Sequence, residues 1–174
     1  RSDHTRFGLL SLRHSGNRIG ALGLWASGFG RYGQPVLRIT PQVRDQIFAH
    51  AIAEIPNEAC GMFSTQAGVE LIDYFHPMRN TKVSPAVFAL DGQQMLELER
   101  DVEDAGRVLI GVMHSHTETT AYPSPTDVRD SAGFDPFGTF RQVIVSLRHA
   151  EPVLRCFTID GETITEIPVV VTSG

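Results

Sequence analysis

The stretch that decides the fold is Arg107-Val108-Leu109-Ile110-Gly111-Val112-Met113, a nearly unbroken apolar run that leads straight into His114-Ser115-His116. Such a run is the mark of a central strand buried on both faces. Residues two apart on a strand point to the same side, so His114 and His116 can present two imidazole nitrogens to one ion while Ser115 points away. After seven intervening residues, Ser124-Pro125-Thr126-Asp127 reads as the start of a short helix, with Ser124 as cap and Pro125 at the first position. If the loop 117–123 folds back, it brings the Asp127 carboxylate round to the two histidines. Two imidazoles and a carboxylate with a fourth position left open is the ligand set of a catalytic zinc and suits zinc better than copper, while by ligand type alone iron or manganese also fits.

Working outward gives a mixed α/β plan. Upstream, Val36-Leu37-Arg38-Ile39 predicts a short strand, and Thr40-Pro41 caps a helix whose apolar stripe is Val43, Ile47, Ala51, Ile52 and Ile55. Pro56-Asn57 ends it. Glu58 to Phe63 and Val69 to Phe75 read as a hairpin broken near Gly68, and residues 77–85 as a loop followed by an extended run to Leu90. Asp91 caps a second helix with the stripe Met95, Leu98, Val102 and Ala105, which Gly106 closes. After the third helix, Phe140 to Leu147, Val153 to Ile159 and Glu162 to Val171 predict three strands, the last two joined by a tight turn at Asp160-Gly161. Residues 35–174 therefore read as one catalytic domain. Residues 1–34, rich in Gly, Ser and Arg without a sustained period, read as a flexible, disordered extension.

Composition narrows the function classes. A net charge of -5 offers no basic footprint for nucleic acid. The apolar run Ile19 to Ala26 is far short of the roughly 20 residues a spanning helix needs, so no membrane segment is expected. Arg13 and Arg18 precede that run, but no cleavage site follows, and export is not expected. The two cysteines, Cys60 and Cys156, stand far apart outside any CxxC pattern, which suits a reducing, cytoplasmic compartment and argues against a thiolate metal site.

A metal ion at His114, His116 and Asp127 would lower the pKa of a bound water from about 15.7 toward 7. The water's proton still needs a carrier, and Glu58, at a helix-to-strand junction, could take it and pass it to a leaving amine. Ser124 could donate a hydrogen bond to the oxyanion formed at the attacked carbonyl. Plainer readings stand beside these. A lone His-x-His pair is more often two packed imidazoles, and Ser124 would be wanted as a helix cap alone. Cys60 has no activating base and reads as core. Tyr122 and Pro123 shape a turn, and Thr117 to Thr119 a solvated loop.

Taken together, His-Ser-His, seven residues, then Ser-x-x-Asp, with Glu58-Ala59-Cys60-Gly61 upstream, resembles the JAMM motif of the MPN+ metalloproteases at every signature position. The resemblance spans Val36 to about Val171. It implies the cytidine-deaminase-like MPN fold, a curved mixed sheet flanked by helices. It also implies one zinc ion on His114, His116 and Asp127, with Glu58 as general acid/base and Ser124 as oxyanion helper. The longer string from His114 through Ala121-Tyr122-Pro123 to Val128 is similar to bacterial members that process ubiquitin-fold sulfur-carrier proteins. That implies cleavage after a carrier's C-terminal Gly-Gly, releasing cysteine or a short extension for cysteine biosynthesis. Other readings are a JAMM isopeptidase that removes ubiquitin-like proteins from lysine side chains, a relative of the DNA-repair-associated JAMM proteins, which usually carry Pro-Ser-Gly where this chain has Thr117-Glu118-Thr119, and a non-catalytic MPN scaffold. The oligomeric state, a homodimer included, stays open.

Overall fold

The computed structural model describes residues 35–172, all within the unit Gln34–Gly174. The expected extension 1–34 lies outside the described residues. Strand β1 (Leu37–Ile39) feeds helix α1 (Pro41–Ala53), whose Thr40 cap accepts from the Val43 amide at 3.2 Å with Pro41 at the helix start. Strands β2 (Cys60–Gln66), β3 (Leu71–Ile72) and β4 (Tyr74–Met78) follow, then α2 (Gly92–Asp104) under an Asp91 cap. The long β5 (Arg107–His116) comes next, then α3 (Pro125–Phe134), β6 (Arg141–Ser146), β7 (Val153–Asp160), β8 (Thr163–Ile167) and β9 (Val169–Val171).

Six strands form the main sheet in the order β4-β2-β5-β6-β7-β8, and a second sheet has the order β3-β1-β9. In the main sheet all neighbours run antiparallel except β5 and β6. A parallel pair cannot be joined by a tight turn and needs a long crossover. Residues 117–140 are that crossover, and they carry α3 and Asp127 with them.

Two runs expected as single strands are each divided between the sheets. Val69 to Phe75 breaks at Asp73 into β3 and β4, and Glu162 to Val171 breaks at Pro168 into β8 and β9. Pro168 has no N–H to give a ladder, but its carbonyl accepts from Leu37 at 2.9 Å and so starts the pairing of β9 with β1. β4 continues through Pro77, where a loop was expected. As an edge strand it tolerates a missing donor on its open side. Residues 86–90 contribute only an isolated bridge, Asn80 to Leu90.

The main core packs α1 against the sheet through Val43, Ile47, Ala51, Phe63, Phe75 and Met113. Ile52 and Ile55, expected on the buried stripe, are both 53% exposed. Ile52 is one residue past Ala51, about 100° further round the helix, and Ile55 lies beyond its end. On α2, Val102 is buried and Met95 and Leu98 pack against a second cluster with Cys60, Met62 and Met78. Ala105 instead forms the exposed C-cap, ahead of Gly106 at a φ of 68°. Gly61 is required for packing, because a Cβ there would meet the Phe75 ring at 2.6 Å. No helix among the described residues is long and apolar enough to cross a membrane.

Candidate metal centre

β5 is longer than the apolar run implied: its pairing with β6 continues to His116 opposite Ser146. The histidines thus belong to a central strand, and the last six residues of β5 are all buried. Their side chains emerge at the strand's carboxyl end, beneath the start of the crossover. There Ser124 and Asp127 make a reciprocal capping box: the Asp127 amide donates to Ser124 Oγ at 3.2 Å, and the Ser124 amide donates to Asp127 Oδ2 at 2.6 Å. The cap that starts α3 is therefore also what aims Asp127. One turn on, Ser131 accepts from Gln142 Nε2 at 2.7 Å, a buried bond that holds α3 to β6.

Three atoms converge. His114 Nε2 and His116 Nε2 are 3.1 Å apart, and Asp127 Oδ2 is 3.4 Å from the first and 3.3 Å from the second. Ligands about 2.0–2.1 Å from a tetrahedral ion are about 3.3–3.4 Å from one another, so this triangle has the dimensions of three such ligands. The His116 ring, as a neutral imidazole, donates from Nδ1 to the Thr120 carbonyl at 2.8 Å, which leaves its Nε2 as a lone pair facing the triangle. Burial holds His114 below the usual imidazole range, so its ring is neutral as well. With Nε2 of both rings and the Asp127 carboxylate pointed at one another, the triangle is an arrangement that a positive charge between them would stabilise. The three side chains form a group that could hold a metal, and the donor set fits zinc.

The surrounding electrostatics agree. Burial works to raise the Asp127 carboxyl, but the two imidazoles and the Ser124 amide outweigh it and hold the group well below its ordinary value. Burial works to lower His116, but the contact with Asp127 and the Thr120 carbonyl outweigh it and raise the ring. Glu58, 4% exposed, is pushed up from 4.5 to about 7, chiefly by burial, with His116 pulling it down and Asp127 pushing it up. A carboxyl poised near neutrality suits proton transfer in both directions. Ser124 spends an acceptor site on the Asp127 amide, and among the described residues no acceptor engages its hydroxyl proton.

All five residues singled out in the sequence thus meet at the end of β5. Cys60 is buried and its thiol is pushed up to about 12, chiefly by burial, which fits a packing role. Tyr122 is 47% exposed, its ring edge-on to Phe157. Three residues that hold the site were not singled out. Ser115 accepts from the Ala59 amide at 2.8 Å and its own amide donates to the Ala59 carbonyl at 3.0 Å, so the residue between the histidines ties β5 to the neighbour of Glu58. Asn80 donates to the Glu58 carbonyl at 2.9 Å. Phe88 stacks on the His114 ring at 4.5 Å. Ser115 had a signal in its place between the ligands, whereas Asn80 falls in the run read as a loop and Phe88 in the extended run after it, neither of which carries a motif.

Comparison with known proteins gives the same neighbourhood. Residues 40–160 match the family model described as prokaryotic homologs of the JAB domain. The CysO-cysteine peptidase of Mycobacterium tuberculosis is 36% identical over 135 residues, 77% of this chain and 90% of that protein. A probable TtuB-protein conjugate cleaving protease of Thermus thermophilus is 28% identical over 112 residues, 64% of this chain and 74% of that protein. Among solved structures, a Desulfitobacterium hafniense protein studied in solution aligns with a TM-score of 0.70 at 29% identity, over 79% of this chain and 93% of that one.

Proposed function

The chain belongs to the prokaryotic JAB family of JAMM/MPN+ proteins, and from that premise we propose that it is a zinc-dependent peptidase. Its substrate is a ubiquitin-fold sulfur-carrier protein, cut after the C-terminal Gly-Gly to release cysteine or a short extension. The observation that carries the chemistry is the convergence of His114 Nε2, His116 Nε2 and Asp127 Oδ2 within 3.1–3.4 Å beside a carboxyl poised near 7. The substrate reading is supported by the mycobacterial relative, a peptidase named for CysO-cysteine.

His114, His116 and Asp127 would hold the ion, which when bound supplies Lewis acidity and an acidified water. Glu58 takes the water's proton and returns it to the departing amine, a shuttle that burial prepares by raising the carboxyl. Ser124 turns its uncommitted hydroxyl proton toward the oxyanion while its oxygen goes on capping α3. The two free, buried cysteines suit a cytoplasmic setting. The Thermus relative, named for cleaving protein conjugates, favours a second reading in which the scissile amide is on a lysine side chain.

Intact-mass spectrometry separates these readings. A ubiquitin-fold carrier bearing a C-terminal cysteine and the same carrier joined to a lysine side chain are incubated with the enzyme, with and without a zinc chelator. Chelator-sensitive loss of the mass beyond Gly-Gly from the cysteine adduct supports the proposal, cleavage of the lysine conjugate alone supports the second reading, and cleavage that survives chelation overturns both.

A further inference from the structure

We propose that Asn80 is a positioning residue for Glu58, acting through a clamp formed by residues 80–90; the inference rests on Glu58 being the proton carrier. Asn80 is 6% exposed in a segment with no regular secondary structure, and its side chain makes four hydrogen bonds. Nδ2 donates to the Glu58 carbonyl at 2.9 Å and to the Val87 carbonyl at 3.1 Å. Oδ1 accepts from the Lys82 amide at 3.0 Å and the Ala89 amide at 3.1 Å. Two donors and two lone pairs are all that an asparagine amide has, so no part of it is spare. The loop then returns the hold: the Glu58 amide donates to the Ser84 carbonyl at 2.8 Å. Both polar backbone groups of Glu58 are thus bonded to one segment whose shape is set by one buried side chain.

That segment is also under tension. Val83, β-branched and 71% exposed, sits at a φ of 46°, a left-handed conformation that such residues avoid. Strain of that kind persists only where the surroundings over-determine it, and the Asn80 bonds on either side of Val83 do so. The same segment stacks Phe88 on His114, and its Pro85 carbonyl accepts from Thr117 Oγ1 at 3.3 Å. Among the described residues nothing hydrogen-bonds the Glu58 carboxylate itself. Its place relative to the ligand triangle depends on its backbone, which the Asn80 clamp grips from one side and Ser115, through Ala59, from the other. A misplacement of about 1 Å can cost on the order of 10²-fold in rate.

Asn80→Asp tests this, because it keeps the shape and the acceptors but removes both donated bonds. With the carrier–cysteine substrate, kcat is expected to fall about 10²-fold with KM and zinc stoichiometry unchanged. On a Glu58→Gln background the same change is expected to cost almost nothing, since a residue that acts through Glu58 has nothing left to position. An equal loss on both backgrounds would overturn the proposal. A readout that needs no activity is amide hydrogen exchange. In the wild-type protein the Glu58, Lys82 and Ala89 amides should exchange as one set, and in Asn80→Asp the Glu58 amide should exchange at least about tenfold faster. If the variant fails to fold, the wild-type exchange decides, and independent rates for those three amides would overturn the clamp. If the wild-type enzyme cleaves no carrier, the functional reading falls while exchange still decides whether Asn80 holds Glu58.

Discussion

The same two strands, β2 and β5, carry a polar cluster at each end of their pairing, and the two clusters are opposites. At one end, where Cys60 faces His114, the histidine nitrogens converge on each other and on a carboxylate, and His114 Nδ1 is buried with no hydrogen-bond partner. At the other end, where Gln66 faces Arg107, the side chains pair with one another. Arg107 Nε donates to Ser64 Oγ at 2.9 Å, Ser64 Oγ meets His76 Nε2 at 2.9 Å, and the Arg107 guanidinium also bonds the Ser64 carbonyl and the Asp73 carboxylate. Arg107 lies over the Tyr74 ring as well. Burial, with the charge of Arg107, holds His76 below its usual range, and the Ser64 hydroxyl is fully buried, so this histidine–serine pair has no reachable nucleophile. Buried imidazoles alone do not mark a functional site. What marks it is that two imidazole nitrogens and a carboxylate oxygen converge at ligand spacing on one point, with Nδ1 of His114 left without a partner.

The contrast can be broken most sharply at Asp127. Asp127→Ala should lose zinc, measured as metal stoichiometry, together with all but a trace of activity, since two neutral imidazoles cannot replace a carboxylate ligand. Glu58→Gln should keep zinc and lose about 10²–10⁴ of kcat, and a zinc-loaded variant with full turnover would remove Glu58 from the mechanism.

A second consequence of Glu58 lies in stability rather than rate. Its carboxyl is held at about 7 in the folded chain against 4.5 unfolded, so the native state binds this proton more tightly. That advantage is present below pH 4.5 and is lost as the pH rises through 7. In zinc-free protein, Glu58→Gln should therefore gain stability over wild type as the pH goes from 5 to 8, by at most about 3 kcal/mol. A constant difference in denaturation midpoint across that range would contradict the shifted carboxyl.

At the opposite end of the strands, Ser64→Ala should behave as a structural loss only. It strips partners from Arg107 and His76 and should cost about 1–3 kcal/mol in chemical denaturation while leaving zinc stoichiometry untouched. Loss of metal in that variant would erase the distinction between the clusters. The smallest effect is expected at Val83→Asn, which substitutes a residue that tolerates the left-handed region at an exposed site. It should raise stability by up to about 1 kcal/mol, read as a higher melting temperature.

Much of the molecule was written locally. Helix starts at Thr40-Pro41, Asp91 and Ser124-Pro125 depend on a side chain reaching an amide two or three residues away, and an alternating or continuous apolar run fixes a strand's faces without reference to the rest of the chain. For that reason the order of elements, the paired direction of His114 and His116, and the spacing to Ser124 and Asp127 could be read from the sequence. What tertiary structure alone decided are contacts between residues far apart in the chain. Pro168 divides one apolar run between two sheets because its carbonyl finds Leu37, and Ile52 is exposed because the stripe that packs inward, Val43, Ile47 and Ala51, leaves it about 100° round the helix. Ser115 fastens Ala59 across β2 and β5, and Asn80 closes on Glu58 from a run that reads as a loop. Such bonds leave no periodicity or motif, since an asparagine in a turn looks the same in sequence whether its amide faces water or a buried backbone.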